Sequence, residues 1–234
     1  MLTAYETAVQ QLIQSVRSGL ISTPTLDSYI NTARAQLAAD AECIRSPAAL
    51  TFASGVRSYP ISAFVPTIGG TLGTFTVRVG QVTGALMPLE IRSWEWFAAY
   101  YLGNPASGVP TVMAQEGQGL SGTFYFSPVP NAVGTASFDV ACLPVPLVND
   151  STPEAIPALW TDAVPFYAAW LAMMQLQRQA DAQVMLGRYK ELAMRGRQEA
   201  TPTVLPDNLP GGIGAHAAAL KATLTAPSQA GRGP

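Results

Sequence analysis

The chain has 234 residues, 48% of them hydrophobic and only 12% charged, against roughly 25% charged in an ordinary soluble protein. That length allows one fair-sized domain or a compact domain with an appendage, and a surface so poor in charge is either neutral or covered by other subunits. A net charge of −2 excludes a general attraction to nucleic acid or to an acidic membrane surface.

The two cysteines, Cys43 and Cys142, have neither the density of a disulfide scaffold nor metal-ligand spacing, and read as small buried apolar residues in a reducing compartment. No basic start followed by an apolar run opens the chain, and no run of about 18 apolar residues spans a bilayer. The expectation is a soluble protein made in the cytoplasm.

Residues 2–17 place Tyr5, Val9, Leu12, Ile13 and Val16 on one helical face, with Gly19 as terminator. A second helix follows closely. Thr25 can cap it, and Leu26, Tyr29, Ile30, Ala33, Leu37, Ala41 and Ile44 continue the stripe until Pro47 stops it. The two form a helical hairpin that donates its stripes to a bundle.

From Pro47 to Asn149 the period changes. Short runs punctuated by Gly, Pro, Ser and Thr read as strands: Tyr59–Val65, Gly73–Val82, Val109–Glu116, Gly122–Ser127 and Gly134–Pro144. Thr74–Val79 alternates cleanly, and Ser127-Pro128-Val129-Pro130-Asn131 reads as a hairpin loop between the last two runs. Ser93 caps a short helix over Trp94–Tyr101, which Gly103 closes.

From Thr152 to Ala200 the helical period returns. Ile156, Trp160, Val164, Tyr167, Leu171 and Met174 make an apolar stripe, with Ile156, Trp160, Tyr167 and Leu171 as structural anchors. Ser151 or Thr152 can accept the first free amides, Pro153 and Pro157 tolerate a helix start, Pro165 kinks or restarts the helix after Asp162, and Gly187 and Gly196 are its weak points. The whole reads as α+β: a helical body of residues 1–46 and 152–200, an inserted antiparallel β-sheet domain at 47–151, and an extended tail at 201–234.

Most hydrolase mechanisms are excluded by composition. The single histidine, His216, lies in the Gly/Ala-rich tail, so no His-centred triad or imidazole metal site is available to the body, and no cofactor motif is present. Glu90 and Glu95 flank Trp94 and Trp96, the residue types of glycoside hydrolysis. A Trp/Tyr-rich short helix is more often core or interface than a sugar platform. Arg178, Arg188, Lys190, Arg195 and Arg197, set against Asp181 and Glu191, leave an excess of five minus two, or three positive charges. Complementing a helix C-terminus and contacting DNA or an acidic partner both remain open.

Three phrases occur in a telling order: Tyr29-Ile30-Asn31-Thr32-Ala33-Arg34, then Phe126-Ser127-Pro128-Val129-Pro130, then Ile156-Pro157-Ala158-Leu159-Trp160 before an alanine-rich helix. In that order, across most of residues 1–200, the chain resembles the head-to-tail adaptor proteins of tailed bacteriophages, although its strand-rich insertion is larger than in the smallest members. The resemblance implies a structural, non-enzymatic virion protein of the neck, made in the bacterial host. It implies a homo-oligomeric ring, usually twelvefold, that joins the portal protein to a downstream tail or nozzle protein. Packaged DNA would pass through its lumen without sequence-specific binding. The tail from about Thr201 would be the docking arm on the portal, its sparse apolar residues Val204, Leu205, Leu209, Ile213, Leu220 and Leu224 filling successive pockets. A tail-associated carbohydrate-binding or glycan-cleaving protein using Trp94, Glu95 and Trp96 is the alternative.

Overall fold

Apolar residues three and four apart set the helices of the N-terminal hairpin. In the computed structural model, which describes residues 1–13, 21–85, 88–103 and 106–200, α1 (Leu2–Ile13) buries Leu2, Tyr5 and Val9. Helix α2 (Thr23–Ala41) buries Leu26, Ile30, Ala33 and Leu37, as its spacing requires. Each buried Leu or Ile contributes about 1.5–3 kcal/mol by leaving water. Val16 and Gly19 lie outside the described residues.

The second helix ends earlier than its stripe. Glu42 adopts a left-handed conformation (φ 50°) and its amide closes back on the Ala38 carbonyl, 2.9 Å away. From Arg45 the chain is a strand, β1 (Arg45–Phe52). Pro47 therefore does not stop a helix. Its carbonyl accepts from the Thr67 amide, so this residue faces away from the neighbouring strand, and its missing N–H falls on an edge where no ladder bond is lost.

Strand β1 pairs with the long strand β9 (Gly134–Pro144), which pairs on its other side with β3 (Thr71–Val82), all antiparallel. The alternation expected over Thr74–Val79 breaks. Register shifts at Thr74/Thr76 and Val77/Val79 put Thr76 and Val77 both inward and Arg78 and Val79 both outward, as an extra residue in a ladder must.

A second sheet has the order β2-β7-β6-β4. Its strands are β2 (Ser58–Pro60), β4 (Glu90–Arg92), β6 (Val112–Glu116) and β7 (Thr123–Ser127). Tyr59–Val65 is thus a strand only to Pro60, after which Ile61–Ala63 forms a 3-10 turn. Strands β4 and β6 run parallel, joined by a crossover through α3 (Trp94–Phe97) and a π-helical turn, Ala98–Leu102, since parallel neighbours cannot be joined by a tight turn. The short β5 (Ser107–Gly108) and β8 (Val129–Pro130) also pair in parallel. The segment Ser127–Asn131 is consequently not a hairpin loop: β7 pairs with β6, β9 pairs with β1 and β3, and the link carries the chain between sheets.

One side-chain amide ties the two sheets. Gln115 on β6 accepts from the Val77 amide at 3.0 Å and donates to the Phe75 carbonyl at 3.2 Å and the Gly117 carbonyl at 2.8 Å. It occupies the open edge of β3 in the way a neighbouring strand would. Beside it Phe64, Phe124, Phe126 and Phe138 pack edge to face, with centroids about 5 Å apart in the closest pairs, the arrangement aromatic quadrupoles favour.

The C-terminal helical stretch is three helices, α4 (Ala158–Thr161), α5 (Val164–Gln175) and α6 (Gln179–Ala200). Pro165 restarts the helix at its first turn, as expected. The other break is not at Gly187 or Gly196, which lie inside α6, but at Gln177 (φ 58°). There the Arg178 amide bonds Met173 O and the Gln177 amide bonds Met174 O, the Schellman pattern with a glutamine where glycine is usual. Ser151 and Thr152 cap no helix. Their amides bond to Oδ1 of Asn149 in a local turn, and Pro157 precedes α4.

The restart also rotates the stripe. Ile156, Trp160 and Val164 are buried, but Tyr167 and Leu171 are half-buried and Met174 is exposed. The face of α5 turned inward is Val164, Ala168, Ala169, Ala172 and Met173, whose short side chains let α1 and α2 pack closely against it. Residues Met1–Arg197 form one compact unit, and the helices and the three-stranded sheet contribute to one apolar core.

Candidate functional site

Arg34 stands on the inward face of α2 between Ile30 and Leu37, where a charge is least expected, and it has no exposed surface. Its guanidinium grips Glu154 with both arms, Nε to Oε2 at 3.0 Å and Nη2 to Oε1 at 2.7 Å. Nη1 donates to the Val145 carbonyl at 2.8 Å and to Oδ1 of Asn31 at 3.2 Å. Glu154 also accepts from the Tyr5 hydroxyl at 3.1 Å and the Ile156 amide at 3.0 Å. Every nitrogen of the guanidinium and both carboxylate oxygens therefore have a partner, the condition under which a buried ion pair is tolerated. Burial first, then the Glu154 carboxylate, pushes the Tyr5 phenol well above its ordinary pKa.

Asn31 completes the clamp by pairing with the backbone of Leu147 in both directions, Nδ2 to O at 3.0 Å and N to Oδ1 at 2.7 Å. Tyr29 donates to Gln175 of α5 at 2.7 Å. The segment from Val145 to Ile156, which leads from β9 to the C-terminal helices, is thus fastened to α1 and α2. Asp150 on the same segment takes Thr3 through both its amide and hydroxyl, and the N-terminal ammonium. That ammonium and the Thr3 bonds hold the Asp150 carboxyl far below the usual carboxylate range.

The three phrases singled out in the sequence fall on three joints. Tyr29–Arg34 forms the clamp, Ser127–Pro130 carries the chain between sheets, and Ile156–Trp160 seats the start of α4, with both end residues buried. Asn31 and Arg34 stand in the first of these phrases but had no role assigned to them, and Glu154 was not singled out. The available signal was a charged residue in register with a buried stripe, and a glutamate enclosed by Pro153 and Pro157.

The carboxylates weighed for glycan chemistry are differently occupied. Glu90 forms an ion pair with Arg92, whose guanidinium lies 4.5 Å over the Trp96 ring. Trp94 packs against Phe97 and Tyr125, with centroids 6.1 and 4.7 Å away, and Trp96 against Tyr100 and Tyr101. Glu95 is exposed on α3. The rings are half-buried parts of a small aromatic cluster around Phe97, Val112 and Ala114. Arg57 braces that cluster by donating to the carbonyls of Tyr101 and Leu102.

Burial pushes the Cys43 thiol up to about 12 and the Cys142 thiol up to about 11, so neither is an available thiolate at neutral pH. Arg178, just before α6, pairs with Asp181, and on α6 Arg188 pairs with Glu191 at 2.8 Å. Among the described residues no group of three or more side chains has the makings of a metal site, and no helix is long and apolar enough to cross a membrane. A groove of about 400 Å³ between the loops at 83–85, 108–110 and 130–134 has no charged residue among the described residues that line it, and Val109 and Val133 stand exposed in its lining. The arm residues Val204, Leu205, Leu209, Ile213, Leu220 and Leu224 lie outside the described residues, as does His216.

No relative was found among curated proteins. The family model described as SU10 adaptor protein matches residues 7–207, a span that begins in α1, takes in the clamp, both sheets and all three C-terminal helices, and covers most of the chain. The chain belongs to the SU10 adaptor protein family, a family of bacteriophage head-to-tail adaptors.

Proposed function

We propose that this protein is a structural subunit of the virion neck that assembles as a closed homo-oligomeric ring, joins the portal protein to the next tail component, and surrounds the path of the DNA. The family match over residues 7–207 carries the reading. The low charge density supports it, as do the uncharged groove and the exposed apolar residues at the loop ends, because apolar surface of this kind is commonly covered by other subunits. A contact repeated by rotation closes into a ring. Helices of residues 1–46 and 152–200 form the body of the subunit around an inserted β-rich region.

In this reading the segment from about Thr201 onward is the docking arm for the portal, with Val204, Leu205, Leu209, Ile213, Leu220 and Leu224 as its contacts. Each arm alone binds weakly, since ordering a segment opposes binding, and the many arms of a ring make the joint lasting. Deleting Thr201–Pro234 should leave the melting temperature of the body nearly unchanged and abolish attachment to portal-bearing heads, while electron micrographs of the full chain with portal show rings. Normal attachment by the truncated chain overturns the arm, and a full chain that stays monomeric on the portal overturns the ring. A Glu90→Gln, Glu95→Gln double variant should assemble and support infection normally.

A further inference from the structure

Helix α6 runs for 22 residues, yet among its described side chains only one large one, Tyr189, is fully buried. The others buried are Ala182, Ala193 and Gly196, while Met185, Leu186 and Leu192 are half-buried. Helix α2, by contrast, buries Leu26, Ile30, Arg34 and Leu37. Two contacts among the described residues show how α6 is seated. The Tyr189 hydroxyl donates to Oδ2 of Asp40 at 2.7 Å, with its ring edge on Tyr167 at 4.9 Å, and Gly196 lies flat on the indole of Trp160. The helix is joined to α5 through Gln177, held at φ 58°, a conformation that costs a non-glycine residue free energy and is recovered when the turn opens.

We propose that α6 is a strap that opens about Gln177 as a unit, latched by Tyr189 on Asp40 and by Gly196 on Trp160. Elements with few large buried anchors open at lower free energy than the core they lie on, and a helix leaving through one turn is a hinge motion. Opening uncovers the indole of Trp160 and the ring of Tyr167. Using the two arrangements in assembly rests on the reading above; the opening itself does not, and it is measured on the free chain.

Hydrogen exchange of the full-length protein tests it. Amides of residues 182–197 should exchange together, at least about tenfold faster than those of α2. Tyr189→Phe, which keeps the ring and removes the latch bond, should speed that set by about a further tenfold while the circular dichroism of the folded parent is retained. Gly196→Ala, which wedges the second contact, should accelerate the same amides. Exchange of α6 in one global step with α2, with the same denaturant dependence, overturns the strap, as does a Tyr189→Phe variant that leaves the α6 amides no faster.

Discussion

The α-carbon of Gly196 lies against the indole of Trp160 so closely that a β-carbon would stand 2.6 Å from Cε3 and 2.7 Å from Cζ3. Glycine inside a helix is roughly 1 kcal/mol worse than alanine, whereas overpacking a rigid ring costs about 1–3 kcal/mol. Gly196→Ala should therefore destabilise the protein by up to about 2 kcal/mol, seen as an earlier denaturation midpoint. Against a Trp160→Phe background the cost should vanish, because the atoms that clash are gone. Trp160→Ala alone should cost about 3–5 kcal/mol, and an unchanged melting temperature would remove Trp160 from the core anchors.

Arg34 and Glu154 are 0% and 9% exposed, so removing one partner strands the other. Arg34→Ala should cost about 3–5 kcal/mol in chemical denaturation. Arg34→Lys should recover little, since an ammonium cannot make the two parallel bonds of the guanidinium fork. The combination Arg34→Met, Glu154→Leu, Tyr5→Phe should be more stable than Arg34→Ala, because no charge is left buried without a partner.

Gln115 bonds the exposed edge of β3 as donor and acceptor at once. Gln115→Glu keeps its shape and its acceptor but cannot donate to Phe75 O or Gly117 O. The expected loss is about 1–3 kcal/mol, read as a lower urea midpoint with an unchanged slope. Equal stability of the variant would mean that the amide only fills space.

Of the three phenols bonded to carboxylates among the described residues, two are buried, Tyr5 on Glu154 and Tyr189 on Asp40. Burial, and then the neighbouring carboxylate, raises both pKa values well above the unfolded value, which is about 10. For groups raised on folding, the stabilisation is complete below the unfolded pKa and is lost as pH rises through the folded one. Stability should thus be insensitive to these groups up to about pH 9 and fall above about pH 10. A Tyr5→Phe, Tyr189→Phe variant should show a shallower alkaline decline, read as denaturation midpoints against pH.

Much of the architecture was legible in local pattern. The stripe of α1 and α2, the restart at Pro165, the Ser93 cap, whose hydroxyl accepts from the Trp96 amide, and the full extent of β9 follow from spacing and turn residues, which report the solvent on each side of a short segment. Pairing was less accessible. Adjacency in sequence pointed to a hairpin between β7 and β9, but the two strands belong to different sheets, because partners are chosen by which buried faces meet and not by the shortest connection.

By itself, then, the sequence determined the N-terminal helical hairpin, the strand-rich middle without β1 and β4, the return to helix after Thr152, and the family through three phrases. Only the tertiary structure decided which face of α5 turns inward, where the C-terminal run breaks, and why Arg34 is buried. The face of α5 is set by how closely α1 and α2 can approach the short side chains of Ala168, Ala169 and Ala172, and alanine gives too little hydropathy contrast to mark a face. The break falls at Gln177, a residue type with no breaker signal, because hydrogen bonds to Met173 and Met174 hold it there. Arg34 is stable in the core only because Glu154, 120 positions away in the chain, comes to it with a carboxylate of matching shape, a complementarity that exists only after the chain has closed on itself.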